Sequence, residues 1–479
     1  MKILFINPYP DYAQGVEGTK YPPLGLLYIA AFLKQNGYSD IKVIDANLLR
    51  LENSQLIKKI KDYNPDVVGI SANIVTHRVA LDLARSIKNQ IEGVKIMAGG
   101  AFPSIFPEKY LDHVDLIVDG EGESVVLDIV QRFEKNDSIE DVDGIIFKQG
   151  EKVIRNPRPA LNEDIDSLPF PAYDLLEPEI SEYSKGSRVV RRFMAPILTS
   201  RGCPYQCTYC NKSVFGSKFR ARSPENILKE IDWIHDNFSV NQIDILDDNF
   251  NLIPDRAIDV MDRIIQKGYK LAINCHNGLR ADKLDEVLVD RLKRAGVFKV
   301  GLGIESADED ILKSIKKSLD LSSVEKAVSL LRRAGIIVHG YFILGLPGDS
   351  PATMQKTIDF AKRLNPHFLN PATCIPFPGT EAYEMVKEKG KFLVDVDNGV
   401  DSGFFEGKVF FEYGPTREAD VSTHFKKVFR EFYGRPYKVY DIITHLRSVD
   451  DFKWVASMGM SVVSNMLRKK SNGKKKAYK

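Results

Sequence analysis

Thr199-Ser200-Arg201-Gly202-Cys203-Pro204-Tyr205-Gln206-Cys207-Thr208-Tyr209-Cys210-Asn211 holds three of the chain's five cysteines. An odd count with three so close together is poor material for a disulfide framework and suits a metal site in a reducing compartment. The spacing is C-x3-C-x2-C, and thiolates ligate iron–sulfur clusters and zinc alike. A structural zinc site closes with four ligands drawn from tight Cys or His pairs. No fourth stands near, because Cys275 and Cys374 lie singly and far along the chain. Three thiolates on a [4Fe–4S] cube leave one iron without a protein ligand, open to a chelating substrate. Inert buried cysteines and a zinc knuckle are the rival readings, and the spacing disfavours both.

Working outward, the cysteine loop leaves a strand at Pro196–Ser200. Further strands read at Gln242–Leu246, Leu271–Cys275, Lys299–Ile304, Val338–Leu344 and Phe368–Cys374. Helices fit between them at about Glu225–Asn237, Asp255–Gln266, Asp282–Ala295, Leu321–Ala334 and Pro351–Leu364. Six such units predict a partial (β/α)6 barrel over 191–395, with its chemistry at the strand C-termini. Upstream, residues 1–145 alternate strands (Lys2–Asn7, Lys42–Asp45, Val67–Ser71, Lys95–Ala98, Leu116–Val118) with helices such as Leu24–Asn36 and Arg78–Gln90. That pattern predicts a doubly wound, Rossmann-like α/β domain with ligand loops at the strand ends. Residues 146–190, with the Pro-rich 157–171, read as a linker, and 396–479 as a small, mostly helical C-terminal region.

The cysteine segment resembles the radical S-adenosylmethionine (SAM) superfamily, whose signature is C-x3-C-x-aromatic-C, with Tyr209 in the aromatic place. The resemblance covers roughly residues 190–390. It implies that Cys203, Cys207 and Cys210 hold a [4Fe–4S] cluster whose open iron binds SAM, which is cleaved to a 5′-deoxyadenosyl radical. It also implies an electron donor such as a flavodoxin or ferredoxin. Where many members read Gly-Gly-Glu after the second strand, this chain reads Asp247-Asp248-Asn249-Phe250, which makes Asp247 the candidate for the SAM amino group. Glu305, ending the fourth strand, can accept both ribose O–H groups. Arg280 can pair with the SAM carboxylate, or else opens a surface helix. Gly345, in Gly340–Gly348, matches the segment that packs along adenine.

Loops of the first domain include Asn7-Pro8, Tyr21-Pro22-Pro23-Leu24-Gly25, Ser71, Gly99-Gly100 with Pro103, and Gly120-Glu121-Gly122-Glu123. Small residues there leave room for a large flat ligand. Placed before such a barrel, this set resembles the cobalamin-binding radical SAM proteins, a group of methylases, anaerobic magnesium-porphyrin ester cyclases and hopanoid-modifying enzymes. Asn7, Pro23, Gly25, Ser71, Gly99, Gly100, Pro103 and Glu121 are the candidate cobalamin residues. The Asp-x-His-x-x-Gly that ligates cobalt in many such domains is absent, with Pro22–Gly25 in its place. His77, the nearest histidine, reads as a helix-start residue. The alternative is a domain that has lost cobalamin and remains as a scaffold.

The composition, 43% hydrophobic and 28% charged with net charge +2, is that of a globular protein with no global field for nucleic acid. No signal peptide and no apolar run long enough to span a membrane is seen, which predicts a cytoplasmic protein. From Trp454 apolar residues fall on one helical face (454, 455, 458, 462, 463, 466, 467), and basic residues follow. This segment reads either as an interfacial helix on anionic lipid or as a docked helix with a loose tail. With a lipid-like substrate, the seven phenylalanines of 404–432 would line its cavity; otherwise they are core. The expected function is cobalamin-dependent methylation of an unactivated carbon in a small-molecule or lipid-like substrate. A radical cyclase, an oxidative or C–C-coupling enzyme without methyl transfer, and a cobalamin- or cluster-based sensor are the alternatives.

Overall fold

The structure, a computed structural model, describes residues 1–10, 21–185, 193–400 and 402–444. The first sheet contains β1 (Ile3–Asn7), β2 (Ile41–Asp45), β3 (Val67–Ser71), β4 (Lys95–Gly99), β5 (Leu116–Val118), β6 (Ile145–Gln149), β7 (Lys152–Arg155) and β8 (Leu176–Glu177). Their order is β7-β6-β5-β4-β3-β1-β2-β8. All pairings are parallel except those of β6, which is antiparallel to both β5 and β7. Ile3 and Phe5 face one layer and Leu4 and Ile6 the other, as the two-residue period of a strand requires. Both faces are apolar because helices cover both. The strand order reverses between β1 and β3, and such a switch point opens a crevice beyond the strand C-termini.

The second sheet contains β9 (Met194–Ile197), and after a small hairpin of β10 (Ser200–Arg201) and β11 (Arg220–Ala221) come β12 (Gln242–Ile245), β13 (Ala272–Leu279), β14 (Val297–Glu305), β15 (Ile337–Leu344) and β16 (Phe368–Thr373). Its six strands run β16-β15-β14-β13-β12-β9, all parallel. β9 and β16 are unpaired with each other, so the barrel is open. Several helix starts of the barrel are capped, for example by Ser350 before Pro351 and by Asp285 before Glu286.

One stretch departs from expectation. The linker 146–190 supplies most of β6 together with β7 and β8, which extend the first sheet at opposite edges. These strands are short and, in β7, largely exposed, so they carry little hydrophobic pattern. The described part of the C-terminal region is mostly helical, as expected. Its strand β18 (Phe411–Tyr413) pairs with β17 (Gly390–Phe392) at the end of the preceding barrel segment, and the helices Glu418–Tyr433 and Pro436–Thr444 follow. Phe410, Phe411, Phe425 and Phe432 are buried in the apolar core, so they line no open cavity, while Phe405 is exposed. The stretch from Trp454 lies outside the described residues. No helix among the described residues is long and apolar enough to cross a membrane.

Candidate functional site

The cysteine loop is fixed at its root by the β10–β11 hairpin, where Ser200 faces Ala221 and Arg201 faces Arg220. Gly202 follows at φ +80°, and a Cβ there would overlap the Lys218 carbonyl oxygen, so this turn admits only glycine. Farther along, the Thr208 N–H donates to the Ile315 carbonyl at 3.0 Å, and its carbonyl accepts from Ala382 N–H at 2.9 Å. Cys203 and Cys207 are partly buried and Cys210 is exposed. Asn249 donates its Nδ2 to Cys203 Sγ at 3.0 Å. Desolvation raises the Cys203 thiol, and nearby Asp248 and Cys207 add to this against Lys212. Thiolates crowded in this way are stabilised by a cationic centre.

Among the described residues no three His, Cys, Asp or Glu side chains converge on a single ion. A cube asks for less, since each thiolate meets a different iron. The donor set therefore fits a cluster rather than mononuclear zinc. Cys275 and Cys374 are buried, and desolvation pushes both thiols well up, as suits inert core residues.

Three expected SAM contacts are otherwise engaged. The Asp247 carboxylate accepts the Thr199 N–H at 2.6 Å, the Thr199 hydroxyl at 2.5 Å and the Ser200 hydroxyl at 2.6 Å, which ties the strand before the cysteines to β12. Its neighbour Asp248 is exposed and close enough to Cys203 and Cys210 to raise both thiols. Arg280 donates to Asp282 at 2.8 Å and to the Ser318 carbonyl, and lies 4.0 Å over the Tyr205 ring, so it props the cysteine loop from below. Gly345 has the Val421 side chain where a Cβ would go, so that side packs on the helix Glu418–Tyr433. Its N–H is held by Asp349, whose carboxyl burial pushes up to about 6.

Glu305 keeps the company expected of a ligand-binding group. It sits at φ +68°, a strained conformation for a side-chain-bearing residue, at a bulge between β14 and β15. Its Oε1 is 3.0 Å from Lys317 Nζ. Burial, with Glu305 and Cys207 beside it, raises the Tyr209 phenol, so Glu305, Lys317, Tyr209 and the cysteines share one corner. The sequence reading missed Lys317 and Asn249. A glycine-flanked acidic strand end followed by a Lys-Lys pair hinted at the first, but nothing in the sequence marked the second.

Beyond the C-termini of β1, β3 and β4 lies a cavity of about 320 Å³ that opens to solvent. Asn7, Pro23, Gly25, Ser71, Gly99, Gly100 and Glu121 all line it, with Leu198, Arg201, Val214 and Phe215 from the barrel side. Gly100, at φ +98°, passes so close to the Ala72 carbonyl that any side chain would clash, whereas Gly25 has open space. Pro103 is absent from the lining, buried in the short helix Ala101–Ile105. Glu121 borders the cavity, but its carboxylate is bound by Arg220 and lies 3.4 Å from Arg201. A flat ligand fits this apolar, glycine-rich cradle. Among the described residues no histidine lines it; His77 is buried elsewhere, 2.9 Å from the Tyr110 hydroxyl.

Residues 197–361 match the Radical SAM superfamily and residues 15–130 a B12 binding domain. An uncharacterized methyltransferase of Pyrococcus horikoshii is 33% identical over 389 residues, covering 80% of this chain and 83% of the relative. The anaerobic magnesium-protoporphyrin IX monomethyl ester cyclase of Rubrivivax gelatinosus is 26% identical over 476 residues, covering 92% and 84%. The fold matches the cobalamin-dependent SAM radical enzyme OxsB, solved with aqua-cobalamin and SAM, at TM-score 0.76 and 18% identity, covering 97% of this chain and 71% of that one. The cofactors that go with these two domains are a [4Fe–4S] cluster, SAM and cobalamin. Cysteine loop, glycine cradle and relatives agree, and the chain belongs to the radical SAM superfamily, among those members that carry a B12 binding domain ahead of the radical SAM domain.

Proposed function

We propose that the protein is a cobalamin-dependent radical SAM methyltransferase acting on an unactivated carbon of a small molecule, with an external one-electron donor of ferredoxin or flavodoxin type. One observation carries this reading. The cavity of the first sheet is walled on one side by Leu198, Arg201, Val214 and Phe215, which flank or belong to the loop bearing the cysteines. Methyl carrier and radical source would thus face a common space.

Cys203, Cys207 and Cys210 would hold the cluster. When bound, cluster and SAM supply a 5′-deoxyadenosyl radical and cobalamin a transferable methyl group. Asp248 replaces Asp247 as our candidate for the SAM amino group, because it stands beside two of the cysteines and its carboxyl, which desolvation pushes up, has no hydrogen-bond partner among the described residues. Lys317 replaces Arg280 for the carboxylate, with Glu305 beside it for the ribose hydroxyls. Asp349 holds the Gly345 and Leu346 amides, each at 3.0 Å, and so shapes the loop beyond β15. Among the described residues, none that lines the cavity offers cobalt an imidazole.

Anaerobic reconstitution with SAM, hydroxocobalamin and a reductant tests the proposal. Both 5′-deoxyadenosine and S-adenosylhomocysteine should form, the second only with cobalamin present. The similarity to the Rubrivivax cyclase over most of this chain supports a second reading, radical cyclisation without methyl transfer. Sustained 5′-deoxyadenosine formation on a cognate substrate without S-adenosylhomocysteine would select it.

A further inference from the structure

Arg201 is the second residue of β10, two before Cys203, yet its side chain lies against the other domain's cavity. The side chain is only 4% exposed. Its guanidinium stands 5.1 Å over the Tyr28 ring and 5.2 Å from that of Phe215. Nη2 donates to Glu123 Oε1 at 2.6 Å. Nη1 is 3.4 Å from Glu121 Oε2 but outside hydrogen-bond geometry, and it is a buried donor with no hydrogen-bond partner. A buried guanidinium N–H left unmade is costly and calls for an acceptor.

The surrounding charges say which kind. Glu121 and Glu123 face Arg201 and Arg220, two against two, so this desolvated cluster is already neutral. A third anion would be unbalanced there, whereas a neutral carbonyl oxygen would not. We infer that Arg201 Nη1 donates to a carboxamide carbonyl on the rim of a corrin held in the cavity, and that this contact ties occupancy of the cavity to the cysteine loop. The inference rests on the cavity being the cobalamin site, as proposed above. The tie is short: Arg201 is fixed to Arg220 across the hairpin, and the only residue between it and Cys203 is Gly202, locked in its turn. Linkage is reciprocal, so a corrin that holds Arg201 also makes the cluster harder to lose.

Absorption titration of the full chain with hydroxocobalamin is the first arm. Arg201→Lys keeps the charge but removes the forked donor. Arg201→Met with Glu123→Gln removes the pair together and serves if the single variant fails to fold. Both should bind about ten- to hundredfold more weakly than wild type. The same loss should appear with dicyanocobinamide, which keeps the rim amides and lacks the phosphate–nucleotide arm. In the second arm, saturating hydroxocobalamin should slow chelator removal of iron from the reconstituted wild type severalfold, and give no such protection in Arg201→Lys despite full iron loading. Unchanged cobalamin affinity in both variants, protection that persists in Arg201→Lys, or a penalty that vanishes with cobinamide would each overturn the assignment. Failure of the wild type itself to bind hydroxocobalamin would instead sink the reading of the cavity, and this inference with it.

Discussion

Asn249 is a single amide aimed at a single sulfur, and it shows what one residue can set. A hydrogen bond to a cluster thiolate stabilises the reduced, more negative state, and removing it withdraws that stabilisation. Asn249→Leu should therefore leave iron content near wild type and lower the cluster's reduction potential. The expected shift is tens of millivolts, about what ~1 kcal/mol gives for a one-electron couple. A redox titration followed by electron paramagnetic resonance reads it, and an unchanged potential would discard the role. Replacing any one of Cys203, Cys207 or Cys210 by Ala should abolish SAM cleavage and lower iron, whereas Cys275→Ser and Cys374→Ser should keep both. At this scale the sequence was legible where chemistry is local. Three thiols on one loop announce themselves, while Asp248, Asn249 and Lys317 matter only for what stands beside them, which strand pairing decides. Asp247 and Arg280 have suitable chemistry for a ligand, but Thr199, Ser200 and Tyr205 use it first.

The helix His77–Gln90 does open on His77, yet that residue does more than start it. Its ring stacks on Phe102 at 4.0 Å and its Nδ1 meets the Tyr110 hydroxyl, pinning the helix to the segment after β4. Burial, with Lys109 and Arg78 nearby, holds its pKa down at about 4. An unfolded imidazole titrates near 6.5, so between these values the unfolded chain binds a proton that the folded chain refuses. Stability should fall as pH drops through that window, by roughly 1 kcal/mol between pH 7.5 and 5.5 and at most about 3 kcal/mol by pH 4. Urea melts at the two pH values should show the loss in wild type and a smaller one in His77→Gln. Equal losses would assign the acid sensitivity elsewhere. Long buried strands such as β3 and β15 were legible because their apolar runs have no other explanation. β7 and β8 were not, since pairing in so short a strand is settled by the neighbour's edge rather than by its own residues.

One apolar core runs from the helices Leu24–Gln35 and Glu123–Lys135 of the first sheet into the barrel, so the two sheets are packed together. The Glu121–Glu123 and Arg201–Arg220 cluster lies in the same junction, as does Tyr21, whose hydroxyl reaches Asp244 of β12 at 2.6 Å. None of this was legible as a junction, because each partner reads as an ordinary loop residue until the domains meet. The route of the chain between the sheets has a practical corollary for anyone dissecting it. After β7 at one border of the first sheet the chain crosses to the far border, where Leu176 and Glu177 pair with Val43 and Ile44, and Glu177 is held by Lys42 and Lys59. A fragment cut at residue 145 would leave β2 and β5 with bare backbone donors and acceptors along both borders, the template for self-association. Residues 1–185 bare the same barrel-facing side but carry their own guards. In size-exclusion chromatography the shorter piece should elute as aggregate far more readily than the longer, and matching profiles would refute the guarding role. The useful excision point is thus some forty residues past where the alternating pattern ends, and the apparent tether is the N-terminal sheet's own aggregation shield.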